Sequence, residues 1–347
     1  MHKALKGLDV LTKKIIHNFA QTPYDLAQFV ETYKKKSLEN VRHCTPLPNE
    51  PILLCVAKDS LITVKAQVDW HRRMGIKNFV YVDNMSTDGT FEWLLSQKDV
   101  SLFIARESFS EAKKIAWRRI VMDIFGYDRW YLYLDQDEFF CYPGIESIPI
   151  QKYIHYLEEK GICTTLAPMI DMYSNNSLYS ENQDSNNIMD EYCYFDTDTY
   201  TLYKNRIMPM VRGGPRSRLY QLKDYFILSK YPFVRVNSET IMGNQRVYPT
   251  STRFLNSTTL ALGFLLHYKF LPHDYLKFKE HITSGVQYND PRVLRLYTES
   301  FEKNNGISFF YEGSQKFNSS MDLLKINICD RVFFEAFLAE NGINIVD

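Results

Sequence analysis

Three acids crowd one short stretch of the chain, Asp135, Asp137 and Glu138, in Trp130-Tyr131-Leu132-Tyr133-Leu134-Asp135-Gln136-Asp137-Glu138-Phe139-Phe140. Carboxylates this close repel one another. A hard divalent cation with oxygen ligands removes that repulsion and keeps coordination positions open for phosphate oxygens. A solvated acidic turn is the competing reading of the same residues. A second candidate is Asp83, where an apolar run meets the polar turn Asn84-Met85-Ser86-Thr87-Asp88-Gly89-Thr90. A carboxylate at a strand tip accepts hydrogen bonds from a ribose or a base edge, whereas Asp88 or Thr90 serves to cap the following helix and Gly89 supplies backbone freedom.

The elements that position these acids follow from the hydrophobic pattern. From Pro51 onward, short apolar runs alternate with segments of helical period. Strands are expected over residues 52–57, 79–82, 100–105 and 130–134. Between them, Leu61, Val64 and Val68 mark one helix face, Phe91, Leu94 and Leu95 begin another, and Ala112, Ile115, Ala116 and Ile120 line a third. This βαβ series predicts an α/β fold with a doubly wound, mostly parallel sheet, and such sheets bind ligands at the carboxyl ends of their strands. Lys58-Asp59, Asp83-Asn84 and Asp135-Gln136-Asp137 all follow predicted strand ends. Beyond Pro143 the pattern is weaker: residues 173–187 read as a Ser/Asn-rich surface loop, residues 262–270 as a strand containing His267, and the chain after Pro272 as mostly helical.

The 347 residues suffice for about two domains or one large one, and basic and acidic residues balance at 41 each, so no overall field recruits nucleic acid. Residues 1–49 read as a helical prefix in which basic residues outnumber acidic ones. Packing against the main domain is its expected role, and contact with a membrane surface is the alternative. The six cysteines show no CxxC spacing, no long apolar span occurs, and the N-terminus lacks the apolar core of a signal peptide. A cytoplasmic protein with free thiols is expected, at most associated with the inner face of the membrane.

Taken in order, these segments resemble the nucleotide-binding half of GT-A glycosyltransferases, in particular the family 2-like bacterial branch related to family 92. The likeness is carried by Lys58-Asp59-Ser60, Trp70-His71 with Gly75, Asp83 to Thr90, and Asp135-Gln136-Asp137-Glu138-Phe139. Farther on, Gly213-Gly214-Pro215-Arg216-Ser217-Arg218 is similar to the family's Gly-Gly-x-Arg-x-Arg segment, and Leu265-Leu266-His267-Tyr268-Lys269-Phe270 to its histidine block. Two departures stand out. Asp59-Ser60 replaces the commoner Asn-Glu, and Gly243 to Pro249 lacks the family's histidine.

The resemblance implies a GT-A catalytic domain over residues 50–271, with a nucleotide-binding half at 50–142 and an acceptor half at 143–271, followed by a helical region at 272–347. It implies a metal-dependent inverting transfer from a nucleotide-sugar, UDP-linked for preference, to a hydroxyl of a bacterial glycan or lipid-linked glycan. Asp135, Asp137 and His267 would hold Mn²⁺ or Mg²⁺. Lys58, Asp83, Asp135, Arg216 and Arg218 would bind the donor, Glu138 would orient the ligands or pair within the fold, and His71 would pack against the sheet. Glu239, with Asp224 as rival, is placed as the general base. His267 as a packed core histidine and the two arginines as a solvated loop are the plainer alternatives. A sugar nucleotidyltransferase and a non-catalytic nucleotide-sugar-binding module remain as competing functions, although residues 58–63 lack the glycine-rich phosphate loop of the former.

Overall fold

The computed structural model describes residues 38–178, 187–203, 209–223, 225–248, 260–284, 291–302 and 307–345. The expected prefix over residues 1–37 and the rival base Asp224 lie outside them. Within the remainder of the prefix, Glu39–Arg42 is not helical. It forms β1, an edge strand antiparallel to β4.

The βαβ series is present. Strands β2 (Ile52–Ala57), β3 (Asn78–Asp83), β4 (Val100–Ile104) and β5 (Arg129–Leu134) alternate with helices α1 (Leu61–Arg73), α2 (Thr90–Ser96) and α3 (Glu111–Phe125). β2, β3 and all of β5 except Arg129 are buried, as continuous apolar strands covered on both faces must be. After β6 (Glu138–Cys141), α4 (Ile150–Glu159), β7 (Thr164–Thr165) and β8 (Met169–Asp171) come α5 (Ile188–Glu191), β9 (Tyr194–Phe195), β10 (Tyr200–Tyr203), β11 (Met210–Gly213), α6 (Gly214–Leu219) and β12 (Phe233–Val236). The chain continues through β13 (Ile241–Met242), β14 (Val247–Tyr248), β15 (Phe264–His267), α7 (Asp274–Ser284), α8 (Pro291–Glu302), β16 (Gln315–Lys316), a 3₁₀ turn and α9 (Arg331–Glu340).

The main sheet runs β1-β4-β3-β2-β5-β12-β7. Its four central strands are parallel, while β1 and β12 run antiparallel to their neighbours β4 and β5. The strand order reverses between β2 and β5, the position at which doubly wound sheets form a crevice at the carboxyl ends of their strands. A second sheet, β6-β15-β8, sits beside this crevice. The strand expected over residues 262–270 is confined to Phe264–His267.

Helix α1 joins the two sheets. β6 is an edge strand, so its outward backbone groups need partners. The Trp70 indole donates to Phe140 O at 2.8 Å, and His71 Nε2 accepts from the Phe140 N–H at 3.2 Å. His71 Nδ1 in turn donates to Gln67 O at 2.7 Å, which fixes the neutral tautomer. The sequence expectation that His71 packs against the sheet is met by a buried, doubly bonded ring.

The helical region after residue 272 belongs to the same hydrophobic core as the sheet. Phe333, Phe334 and Phe337 of α9 surround Tyr153 of α4, and Tyr297 of α8 packs on Phe270 at 4.9 Å between ring centroids. Each buried phenylalanine contributes about 1.5–3 kcal/mol. All six cysteines are free thiols, and no helix among the described residues is long and apolar enough to cross a membrane.

Burial pushes the His71 pKa down to about 3. The unfolded chain binds a proton near pH 6.5 and the folded protein does not, so this residue's contribution to stability falls as the pH drops below 6.5. Between pH 7 and pH 5 the wild-type protein should lose about 2 kcal/mol more unfolding free energy than a His71→Gln variant, measured by urea titration. Parallel losses in the two proteins would contradict this assignment.

Candidate active site

The acidic turn between β5 and β6 lies at the crevice. Gln67 of α1 holds its backbone: the side-chain amide donates to Asp135 O and to Glu138 O, both at 2.7 Å, while its oxygen accepts from the Tyr81 hydroxyl at 2.8 Å. Glu138 closes the turn from inside by accepting the Asp135 N–H at 2.9 Å. With its backbone held, the turn sends its carboxylates in different directions.

Asp135 meets three cations. Lys114 Nζ lies 2.9 Å from Oδ1, Arg118 Nη2 3.2 Å from the same atom, and Lys230 Nζ 3.1 Å from Oδ2. Lys230 also binds Glu138, and both side chains are buried. Burial raises the Asp135 pKa, but Lys114, Lys230 and Arg118 more than reverse this and hold the carboxyl well below the usual range. A divalent ion at Asp135 would add to positive charge already in place. The expected trio of Asp135, Asp137 and His267 therefore does not form one ligand set, and among the described residues no group of three or more histidine, cysteine or acidic side chains is arranged to hold a metal.

Asp137 and His267 do converge. The β6–β15 register sets His267 opposite Glu138, β8 sets Asp171 beside it, and the Tyr268 N–H donates to Asp137 O at 2.8 Å. His267 Nε2 lies 3.5 Å from Asp137 Oδ2, and Nδ1 lies 2.7 Å from Asp171 Oδ1. Arg216 Nε donates to the other Asp171 oxygen at 2.7 Å. Burial alone would lower the imidazole's pKa; Asp137 and Asp171 outweigh it and hold the value at about 9. Burial likewise works against the Asp137 carboxylate, yet His267 and Lys269 hold its pKa below the normal range. An imidazole oriented by a carboxylate through Nδ1, with Nε2 aimed at a second carboxylate, is a donor set that a divalent cation accepts in place of the proton.

Other expected residues are placed differently. Arg216 and Arg218 are committed to buried acids: Arg216 to Asp171, and Arg218 to Asp196 through two bonds of 3.0 Å. Arg218 also stacks over the Tyr311 ring. Gly213 allows the close turn that brings both arginines inward. Its φ is +102° and a Cβ there would stand 2.1 Å from Thr199 O. Lys58 is exposed at the end of β2. Asp83 is buried, with Oδ2 accepting the Ser86 N–H at 3.0 Å and Oδ1 lacking a hydrogen-bond partner among the described residues. Burial raises its pKa. Asp88 accepts the Thr90 N–H and the Leu61 N–H, both at 3.0 Å, but the N-cap of α2 is Gly89, so the expected cap by Asp88 or Thr90 is not formed. Glu239 is exposed and follows Val236, which pairs with Arg129 at the start of β5. That is the end of the sheet opposite Asp135, so the structure keeps Glu239 out of the crevice.

Gln67, Lys114, Arg118, Asp171, Asp196 and Lys230 were not read from the sequence. Lys114 and Arg118 carry a signal in retrospect, since they interrupt the buried face of α3 four residues apart. Lys230 precedes the apolar run of β12, and an isolated cation there needs a buried acid.

No protein-family model matches the sequence, and no curated protein matches it. Solved structures similar in part include a mannosyltransferase from Pyrobaculum calidifontis in complex with GDP-Man and Mn²⁺, at 15% identity and a TM-score of 0.25, over 42% of each chain. Another is HddC from Yersinia pseudotuberculosis, at 11% identity and a TM-score of 0.27, over 66% of this chain and 97% of that one. Neither likeness is close enough to decide function, and neither supports the finer resemblance to family 92. What is observed is a mixed α/β fold with a central, largely parallel sheet and flanking helices.

Removing one member of a buried ion pair strands the other. Lys230→Met should cost about 3–5 kcal/mol of unfolding free energy by denaturant titration, and the double change Lys230→Met with Glu138→Gln should recover part of it. A loss below about 1 kcal/mol for the single variant would show that Asp135 and Glu138 do not depend on Lys230.

Proposed function

We propose that this chain is a divalent-metal-assisted glycosyltransferase that moves a sugar from a nucleoside-diphosphate donor to a hydroxyl of a glycan or lipid-linked glycan acceptor. The observation that carries the reading is the Asp137–His267 pair, 3.5 Å apart at the crevice where the strand order reverses, with the imidazole oriented by Asp171. Asp137 and His267 would hold Mn²⁺ or Mg²⁺, which supplies Lewis-acid charge for the leaving diphosphate.

The remaining residues have roles their placement supports. Asp83, with one buried oxygen unsatisfied, accepts a hydrogen from the ribose or the base. Asp135, surrounded by cations, is better suited to a ribose hydroxyl than to a metal. Lys58 stands at the same strand end as the donor. Arg216 acts through Asp171 on His267, and Arg218 stiffens the wall with Asp196, so neither is assigned to phosphate directly. The division into a nucleotide half, residues 50–142, and an acceptor half, residues 143–271, is part of this proposal, as are the UDP-linked donor, the bacterial acceptor, the inverting outcome and work at the cytoplasmic face of a membrane. All of these come with the sequence resemblance. Glu239, which follows β12 at the end of the sheet away from Asp135, is not assigned as base in this proposal, and no other acid takes its place.

Full-length protein incubated with UDP-sugars and Mn²⁺ should hydrolyse or transfer the sugar, with EDTA abolishing turnover. Asp137→Ala should lower the rate about a hundredfold or more. Glu239→Gln should leave it within about twofold, because an exposed surface charge far from the reacting atoms changes little. Undiminished turnover by Asp137→Ala in EDTA would end the metal-assisted reading.

A further inference from the structure

The arginines expected to hold the donor's phosphates are closed into ion pairs, which leaves open the question of which cations meet the diphosphate. Separation distances sort them. Lys114, Arg118, Lys230, Arg216 and Arg218 each contact a carboxylate at 3.2 Å or less. Two other lysines are held loosely. Lys269 Nζ lies 3.7 Å from Asp137 Oδ2, and Lys277 Nζ lies 3.7 Å from Asp274 Oδ1, both beyond hydrogen-bond reach, and both side chains are 25% exposed.

Both ammonium groups act on the Asp274 carboxylate, beside the proposed metal pair. Lys269 follows His267 by two residues and stands beside the proposed metal pair, its ammonium 5.9 Å from the Phe278 ring of α7. Lys277 projects from α7 to the Ser60 hydroxyl at 3.3 Å, at the β2–α1 turn three residues past the end of β2. Helix α7 thus supplies Lys277 and sets Phe278 against Lys269, which the segment after β15 supplies, so two ammonium groups stand near the strand ends where a donor would lie. An ammonium is a mobile point charge with three donors, suited to phosphate oxygens whose exact positions vary.

From this geometry we infer that Lys269 and Lys277 form a two-cation clamp for a diphosphate, so that the chain's helical region after residue 272 completes the donor site. The inference deepens the proposed function and rests on it for the identity of the donor. Two separated ammonium groups select nucleoside diphosphates, and nucleoside diphosphate sugars, over nucleoside monophosphates. Donors built on a monophosphate, such as CMP-linked sugars, would engage one lysine at most.

The test is calorimetric titration of full-length protein, in Mn²⁺, with UDP, GDP, UMP and GMP. For whichever base binds, the wild type should hold the diphosphate at least about tenfold more tightly than the monophosphate, as one or two charge-assisted hydrogen bonds allow. Lys269→Met and Lys277→Met should each narrow that ratio, with a shallower dependence on salt, and Lys277→Arg should restore most of it. Thermal melts of the variants check that they remain folded. Diphosphate binding unchanged by both methionine variants overturns the clamp while leaving the donor reading intact. If the wild type binds neither diphosphate, the donor reading falls and the clamp falls with it.

Discussion

Burying carboxylates together is the constraint on which this structure depends. Asp135, Asp137, Glu138 and Asp171 lie around one pair of strand ends, and two like charges 4 Å apart cost about 4 kcal/mol at the effective dielectric of a protein surface. The chain offsets that cost with cations delivered from separate elements: Lys114 and Arg118 from α3, Lys230 from the segment before β12, Arg216 from α6 and His267 from β15. Such buried pairs add little net stability, yet each is costly to break, so they fix geometry more than they strengthen the fold.

The compensation is uneven, and the unevenness separates closed from open acids. Asp135 and Glu138 are tied to cations at hydrogen-bonding distance, whereas Asp137 faces His267 and Lys269 at 3.5 and 3.7 Å. A carboxylate held this loosely can exchange its partners for a metal ion or a ligand without leaving a buried charge stranded. Because Gln67 and the β6–β15 ladder have already set the backbone, charge developing in a reaction would meet groups that need not reorganise.

Helix α1 is the mechanical link. Residues 67, 70 and 71 occupy one face, and all three bond to backbone atoms of the turn or of β6. The main sheet and the small sheet therefore share a single helix as their common support. On the other side, the region after residue 272 buries aromatic rings in the same core and brings Lys277 to the start of α1. The crevice is walled by elements distant along the chain, which makes its shape a property of the whole core.

The βαβ frame was legible in the sequence because local periodicity reports it: strands at 52–57, 79–82, 100–105 and 130–134 appear within a residue of their observed bounds. The crowding of Asp135, Asp137 and Glu138, and the position of Asp83 at a strand tip, were legible for the same reason. By contrast, edge strand β1 has too few residues to show a period, and the pairing of His267 with both Glu138 and Asp171 depends on β6, β15 and β8 meeting across long loops. Which acids are neutralised and which remain open was decided by tertiary structure alone. Lys114 and Arg118 interrupt an apolar helix face, which marks them as buried but not which acid they meet, because the energy that commits a charge to a partner arises only when both are taken out of water together. Sequence determined which acids crowd the turn; packing determined that Asp135 is closed by cations at hydrogen-bonding distance while Asp137 is held more loosely.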